Sequence, residues 1–268
     1  MSDWRWSKAI LFATAVCAFY WALSIAAAFG PQITLTFPII DVAIGSQFVL
    51  SMLAALVPAT TCFLLYAETR RSLRKWQAPW FVYLIAVATG LGLPFASYFG
   101  SHYASFPWNE ESRHTLARVL AINLFLTPLW EEIIWRGSFL QKLSSFVSEP
   151  RAILVSSLAW TAWHGGYIAF LYAHGIPVGA LLALPLTYFC IGIILASLYE
   201  MANKSIWPCV LLHAALNAST TVYYKTFDRA TELSSYVAEL IAISAVAALL
   251  YRSRICQRRK TLLQHEAV

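Results

Sequence analysis

The chain has 268 residues, of which 59% are hydrophobic, 15% aromatic and 12% charged, with a net charge of +6. Soluble domains carry roughly 25% charged residues, so this composition excludes a disordered chain, a disulfide-stapled secreted module and an ordinary cytosolic enzyme. The five cysteines (Cys17, Cys62, Cys190, Cys209, Cys256) show no CxxC spacing, which argues against a zinc knuckle or redox motif.

A hydrocarbon core about 30 Å thick needs a helix of ~20 apolar residues, and the uncharged runs place the candidates in chain order. The first lies near 9–29 and ends at Gly30-Pro31; the second is in 42–67 and the third near 79–100. Ala26-Ala27-Ala28 has the look of a signal-peptidase site, but the apolar run before it is too long for a signal-peptide core. The fourth, 116–139, is unusual in holding Glu131, Glu132 and Arg136. The uncharged run 152–199 is too long for one crossing. His174-Gly175-Ile176-Pro177 reads as a hairpin within it, giving spans 152–173 and 178–199. A seventh span fills 205–224, with Ser205 as N-cap and Pro208 in the first turn; the eighth is near 234–251, followed by a basic tail over 252–268.

These elements predict an all-α, single-domain polytopic membrane protein of about eight helices. Fifteen of the 19 Lys and Arg fall on the side of the N-terminus, leaving Arg113, Arg118, Lys225 and Arg229 opposite. The positive-inside rule then puts both termini in the cytoplasm. The basic excess belongs to those loops, so the bilayer is the expected partner and nucleic acid is not.

Ionisable groups at membrane depth cost on the order of 2.5–3.5 kcal/mol each and persist where they pair or line a wet cavity. Three clusters qualify: Glu131-Glu132 with Arg136, Trp160 with His164, and His213 with Asn217. Glu132 and Arg136 stand four apart in the favourable acid-first order, while Glu131 points about 100° away around the helix. Pro128 should kink the chain just before the acids. Gly165-Gly166 allows close approach to His164. At 1.5 Å per residue the three clusters lie ~10–18 Å from the cytoplasmic ends of their helices, in one layer. His102, His114, His174 and His265 fall in loops or the tail and read as solvated.

Glu131-Glu132-xxx-Arg136, Trp160-xxx-His164 and His213-xxx-Asn217, with the Ser205-Ile206-Trp207-Pro208 lead, resemble the motifs of the CPBP family. That group holds the CAAX-processing and bacteriocin-immunity (Abi) intramembrane proteases. The resemblance covers about 115–225; Trp160 departs from the usual Phe, a change expected to reshape a pocket wall. It implies a cytoplasm-facing core cavity in an eight-helix fold, a glutamate that activates water for peptide hydrolysis, and a bacterial inner-membrane location. On this resemblance Glu131 is the base, His164 orients water, His213 and Asn217 hold the oxyanion, and Glu132–Arg136 fixes the helix. The substrate would be a membrane-associated protein or peptide, lipid-modified or not, and no cofactor is required. Three alternatives use the same residues: a zinc peptidase with Glu131, His164 and His213 as ligands, a proton-coupled transporter, and a non-catalytic bacteriocin-immunity protein.

Overall fold

The computed structural model describes residues 2–29, 34–37, 42–100, 110–176, 178–227 and 233–266, with side chains over 5–28, 49–94, 110–176, 178–179, 181–222 and 240–256. The Gly30-Pro31 break, His102, Pro107, Pro177 and Arg229 lie outside the described residues, as do the side chains of Lys225 and His265.

Helix α1 spans Ser2–Phe29. A two-stranded antiparallel ribbon follows, β1 (Thr34–Phe37) pairing with β2 (Val42–Gly45) in the register Thr34–Gly45 to Phe37–Val42. Helix α2 (Ser46–Leu65) therefore starts four residues later than the uncharged run suggested, and the fold is helical apart from this ribbon. Beyond Tyr66 the chain bends by 102° into the short α3 (Ala67–Arg74). Helix α4 covers Trp80–Gly100.

The predicted fourth crossing is not one helix. It divides into α5 (Glu110–Phe125), α6 (Thr127–Ile134), a π-helical segment over Trp135–Leu140, and the single turn α7 (Gln141–Ser144). The first break falls at Leu126 (φ −100°, ψ −130°), so Pro128 sits at the second position of α6. There its missing N–H deprives no carbonyl of a partner. The fifth crossing also divides, into α8 (Glu149–Trp163) and α9 (Gly165–Ala173), with His164 as the joint. The hairpin after it forms where expected, with Gly175 at φ 81°, a left-handed value that glycine takes without a Cβ clash.

Helix α10 runs Val178–Met201, α11 runs Trp207–Phe227, and α12 (Leu233–Glu266) continues the eighth predicted span through the basic tail as one helix. Two segments, Arg5–Ala28 and Leu181–Met201, are long and apolar enough to cross a membrane; the bent α2–α3 pair is a third candidate. The protein is thus an integral membrane protein with at least two spanning helices.

Helix α11 packs between α4 and α5, α10 packs on α8 and α12, and α2 lies on α6. The α8–α10 contact is close because position 192 is glycine: a Cβ there would lie 2.9 Å from Ser157 Cβ. The largest fully buried side chains include Trp135, Trp160, Trp163, Arg136 and Tyr199. A guanidinium over the Trp160 ring, buried in an apolar bundle, marks the place where the packing serves something besides hydrophobic burial.

Candidate active site

Helix α6 carries Glu131 and Glu132 on adjacent positions, and the π segment supplies Arg136 one turn later. Arg136 Nη1 donates to Glu132 Oε1 at 3.1 Å, as the acid-first spacing predicts. Both side chains are essentially inaccessible, at 1% and 0% exposure. Such a pair must gain further hydrogen bonds to offset its desolvation. Two are present: Arg136 Nη2 donates to the Gly192 carbonyl at 3.3 Å, and His213 Nδ1 donates to Glu132 Oε1 at 3.0 Å. Glu132 Oε2 and Arg136 Nε have no hydrogen bond among the described residues. An incompletely satisfied pair of this kind fixes geometry more than it stabilises the fold.

Glu131 faces the other way. Its Oε2 accepts from the indole Nε1 of Trp160 at 3.0 Å. Among the described residues no hydrogen bond reaches Oε1, and the side chain retains 4% exposure. The two adjacent acids thus have distinct environments: Glu132 is bound by two cationic or cationisable groups, and Glu131 by one neutral donor.

Trp160 is the hub of the cluster. Its ring lies 5.0 Å from the Arg136 guanidinium carbon, 4.3 Å from the His164 ring and 5.8 Å from the His213 ring. The sequence treated the Trp for Phe replacement as a change in a pocket wall. In the structure it adds a donor that Phe lacks and aims it at Glu131.

His164 occupies the joint between α8 and α9. Its Nδ1 lies 2.8 Å from the Trp160 carbonyl. A carbonyl only accepts, so Nδ1 carries the hydrogen and a neutral ring offers Nε2 as acceptor. Tyr188 of α10 stacks on the imidazole at 4.0 Å and 21°. The close approach permitted by Gly165-Gly166 is taken by α1: a Cβ on Gly165 would meet the Trp21 ring at 2.9 Å. Trp21 Nε1 donates to the carbonyls of Ala162 (2.9 Å) and Trp163 (3.1 Å), which the helix break releases from the ladder. Tyr20, one residue earlier, stacks on Trp163 at 4.0 Å.

His213 and Asn217 share one face of α11, as their spacing requires, yet they meet different partners. His213 joins Glu132, whereas Asn217 Nδ2 donates to Asn123 Oδ1 of α5 at 3.2 Å. Asn123 in turn donates to the Val119 carbonyl. Asn123, Tyr20, Trp21 and Tyr188 are therefore neighbours of the site that the sequence did not single out. Only Asn123 carried a signal, an amide within the otherwise apolar run before Pro128.

Glu131, His164 and His213 do not converge as a ligand set. Among the described residues no three His, Cys, Asp or Glu side chains are grouped to hold a metal ion. A hollow of about 530 Å³ lies apart from the site, lined by Trp6, Phe146, Val147, Ser148, Arg151, Leu154 and Val155. His114 is exposed, as read from sequence, but lies in α5 and not in a loop, 3.6 Å from Glu110; His174 is exposed at the end of α9.

All seven residues carried by the three motifs lie within residues 113–219, and this stretch matches the family model described as Type II CAAX prenyl endopeptidase Rce1-like. The segment is of the CPBP/CAAX protease family. No curated protein matches the chain. The CPBP/CAAX segment runs from α5 into α11, so it includes both broken crossings and the π segment. Its family assignment supports an intramembrane CAAX-type endopeptidase in general terms, with a protein or peptide in a membrane as substrate.

Proposed function

We propose that the chain is an intramembrane endopeptidase in which Glu131 activates water to hydrolyse a peptide bond of a membrane-associated substrate. The observation that carries this is the division of labour between adjacent acids. Glu132 Oε1 is shared by Arg136 and His213, while Glu131 is oriented by Trp160 with Oε1 left for water.

In this mechanism Glu131 takes a proton as the water oxygen attacks the scissile carbonyl carbon. His164 Nε2 accepts the second water hydrogen and so fixes the angle of attack. The carbonyl oxygen becomes an oxyanion, held by a donor from the His213 ring. Asn217 contributes the amide hydrogen that Asn123 does not use. Donors of this type are worth ~3–4 kcal/mol of barrier. Collapse breaks the C–N bond, and protonated Glu131 returns its proton to the leaving nitrogen. No cofactor is invoked. Around this core we infer eight crossings with both termini in the cytoplasm of a bacterial inner membrane, in one domain with its catalytic core over 115–225. The substrate class includes lipid-modified and unmodified peptides.

The test compares membranes of cells expressing the wild-type chain or Glu131→Gln, together with the purified chains in vesicles. Expected is a set of membrane peptides that accumulates with Glu131→Gln and is cleaved by the wild-type chain alone. Cleavage of those peptides at the wild-type rate by Glu131→Gln would refute the mechanism.

A further inference from the structure

The end of α2 and all of α3 form a layered surface outside the site. Phe63, Leu64 and Leu65 are exposed at 42%, 67% and 66%, an apolar collar that suits acyl chains. The backbone then turns by 102° at Tyr66, and α3 presents Arg71 and Arg74 outward, followed by exposed Lys75. Trp76 and Trp80, both exposed, complete the sequence of layers. Apolar side chains, cations and indoles gathered within about 18 residues are the chemistries that collect at the boundary between hydrocarbon and headgroups.

The cations have been left available by the way α3 is fastened. Its inner face is polar rather than apolar, and its hydrogen bonds all go to protein. Thr69 Oγ1 bonds the Gly137 carbonyl at 3.1 Å and Ser138 Oγ at 2.6 Å; Ser72 Oγ donates to the Lys204 carbonyl at 2.8 Å. Ser205 Oγ donates to the Lys75 carbonyl, and Trp76 stacks on Trp207 at 3.9 Å. Arg70 is used to cap α2, donating to the carbonyls of Phe63 (2.7 Å) and Leu64 (2.8 Å). Among the described residues neither Arg71 nor Arg74 forms an ion pair, although Glu68 stands three positions before Arg71.

We propose that the outer face of α3, with Arg71 and Arg74 at its centre, binds the anionic phosphodiester headgroup of a membrane lipid. A guanidinium matches phosphate oxygens with two parallel donors, and the rigid docking of α3 lowers the ordering cost of binding. The adjacent apolar collar selects a lipid over a free anion, since acyl chains and headgroup are met at once. The surface is separate from the acid–imidazole cluster, and its occupancy does not depend on the peptidase mechanism.

The test measures lipid retained by the full chain in neutral detergent, by native mass spectrometry, after addition of phosphatidylglycerol or phosphatidylcholine. Expected is preferential retention of phosphatidylglycerol, reduced about 30-fold in Arg71→Gln/Arg74→Gln at roughly 1 kcal/mol per cation. The preference should be intermediate in Arg71→Lys/Arg74→Lys, which keeps the charge but not the paired donors, persist in Arg151→Gln, and weaken with added salt. Equal retention of the two lipids by the wild-type chain would overturn the proposal whether or not any variant folds. So would unchanged preference in Arg71→Gln/Arg74→Gln, or displacement of the lipid by a glutamate-rich peptide at lower concentration.

Discussion

Replacing Glu132 by Gln and, separately, Glu131 by Gln should produce opposite losses, because the two acids do different work. Glu132 is fully buried and its Oε1 accepts from both Arg136 and His213. Glutamine at 132 keeps an oxygen for Arg136 but removes the negative charge, leaving the guanidinium, 1% exposed, buried without a counter-ion. Breaking a buried pair from one side costs ~3–5 kcal/mol. At roughly 2–4 °C per kcal/mol for a chain of this size, melting falls on the order of 10 °C. Glutamine at 131 keeps an oxygen for the Trp160 N–H, so it loses only the difference between a charged and a neutral acceptor, ~1 kcal/mol. Its melting temperature should drop by about 3 °C while peptide hydrolysis falls to background.

The assay is tryptophan fluorescence during heating in detergent, run beside cleavage of a membrane peptide well below the melting temperature of each variant. Glu132→Gln should retain measurable cleavage there, and Glu131→Gln should show none. An equal loss of stability in the two variants would refute the assignment of distinct roles, as would wild-type stability in Glu132→Gln.

Trp160→Phe removes the N–H that holds Glu131 and should reduce kcat by about 10- to 150-fold, since a hydrogen bond to a charged group is worth ~1.5–3 kcal/mol; an unchanged rate would show that Glu131 is oriented by something else. Hydrolysis should survive exhaustive chelation, whereas loss restored by added zinc would favour the metal alternative. Trp21→Phe uncovers the carbonyls at the His164 break and should lower stability by ~1–3 kcal/mol, read as a shift in the same melting assay. Cys256 is exposed while Cys62, Cys190 and Cys209 are buried. A membrane-impermeant maleimide should therefore label it in inverted vesicles and leave it unlabelled in intact cells; labelling in intact cells would reverse the inferred orientation.

Sequence exposed what is costly in a bilayer and little else about the site. Glu131, Glu132, Arg136, His164, His213 and Asn217 stood out because an apolar run makes each polar residue conspicuous. The i to i+4 rule sufficed for Glu132–Arg136, and Pro128 for a break within two residues of Leu126. Helix rotation was not legible, because runs apolar on every side carry no periodicity to orient them. This is why the contact of His213 with Glu132 was not foreseen, and why Asn123 went unnoticed as the partner of Asn217. The α2–α3 bend has no proline or glycine at Leu65 or Tyr66; Arg70 caps the α2 carbonyls that the bend leaves open. Gly165-Gly166 did signal the interruption at His164, but pointed to close approach and not to a broken helix.

The interruptions share one physical origin. Carbonyls freed inside a membrane protein cannot rely on bulk water, so irregular backbone survives there only when protein groups replace the ladder. Each interruption near the site meets this condition through side chains. Gly137, in the π segment, gives its carbonyl to Thr69 and Gln141. Ala162 and Trp163 give theirs to Trp21. The π turn sets Arg136 at the close of the acid-bearing helix, and the joint sets His164 beside Trp160. The polar residues at this depth are therefore both reagents and substitutes for backbone hydrogen bonds. A substitution at Thr69 or Trp21, far from any reacting atom in sequence, should consequently disturb the geometry of Arg136 or His164 before it unfolds the bundle.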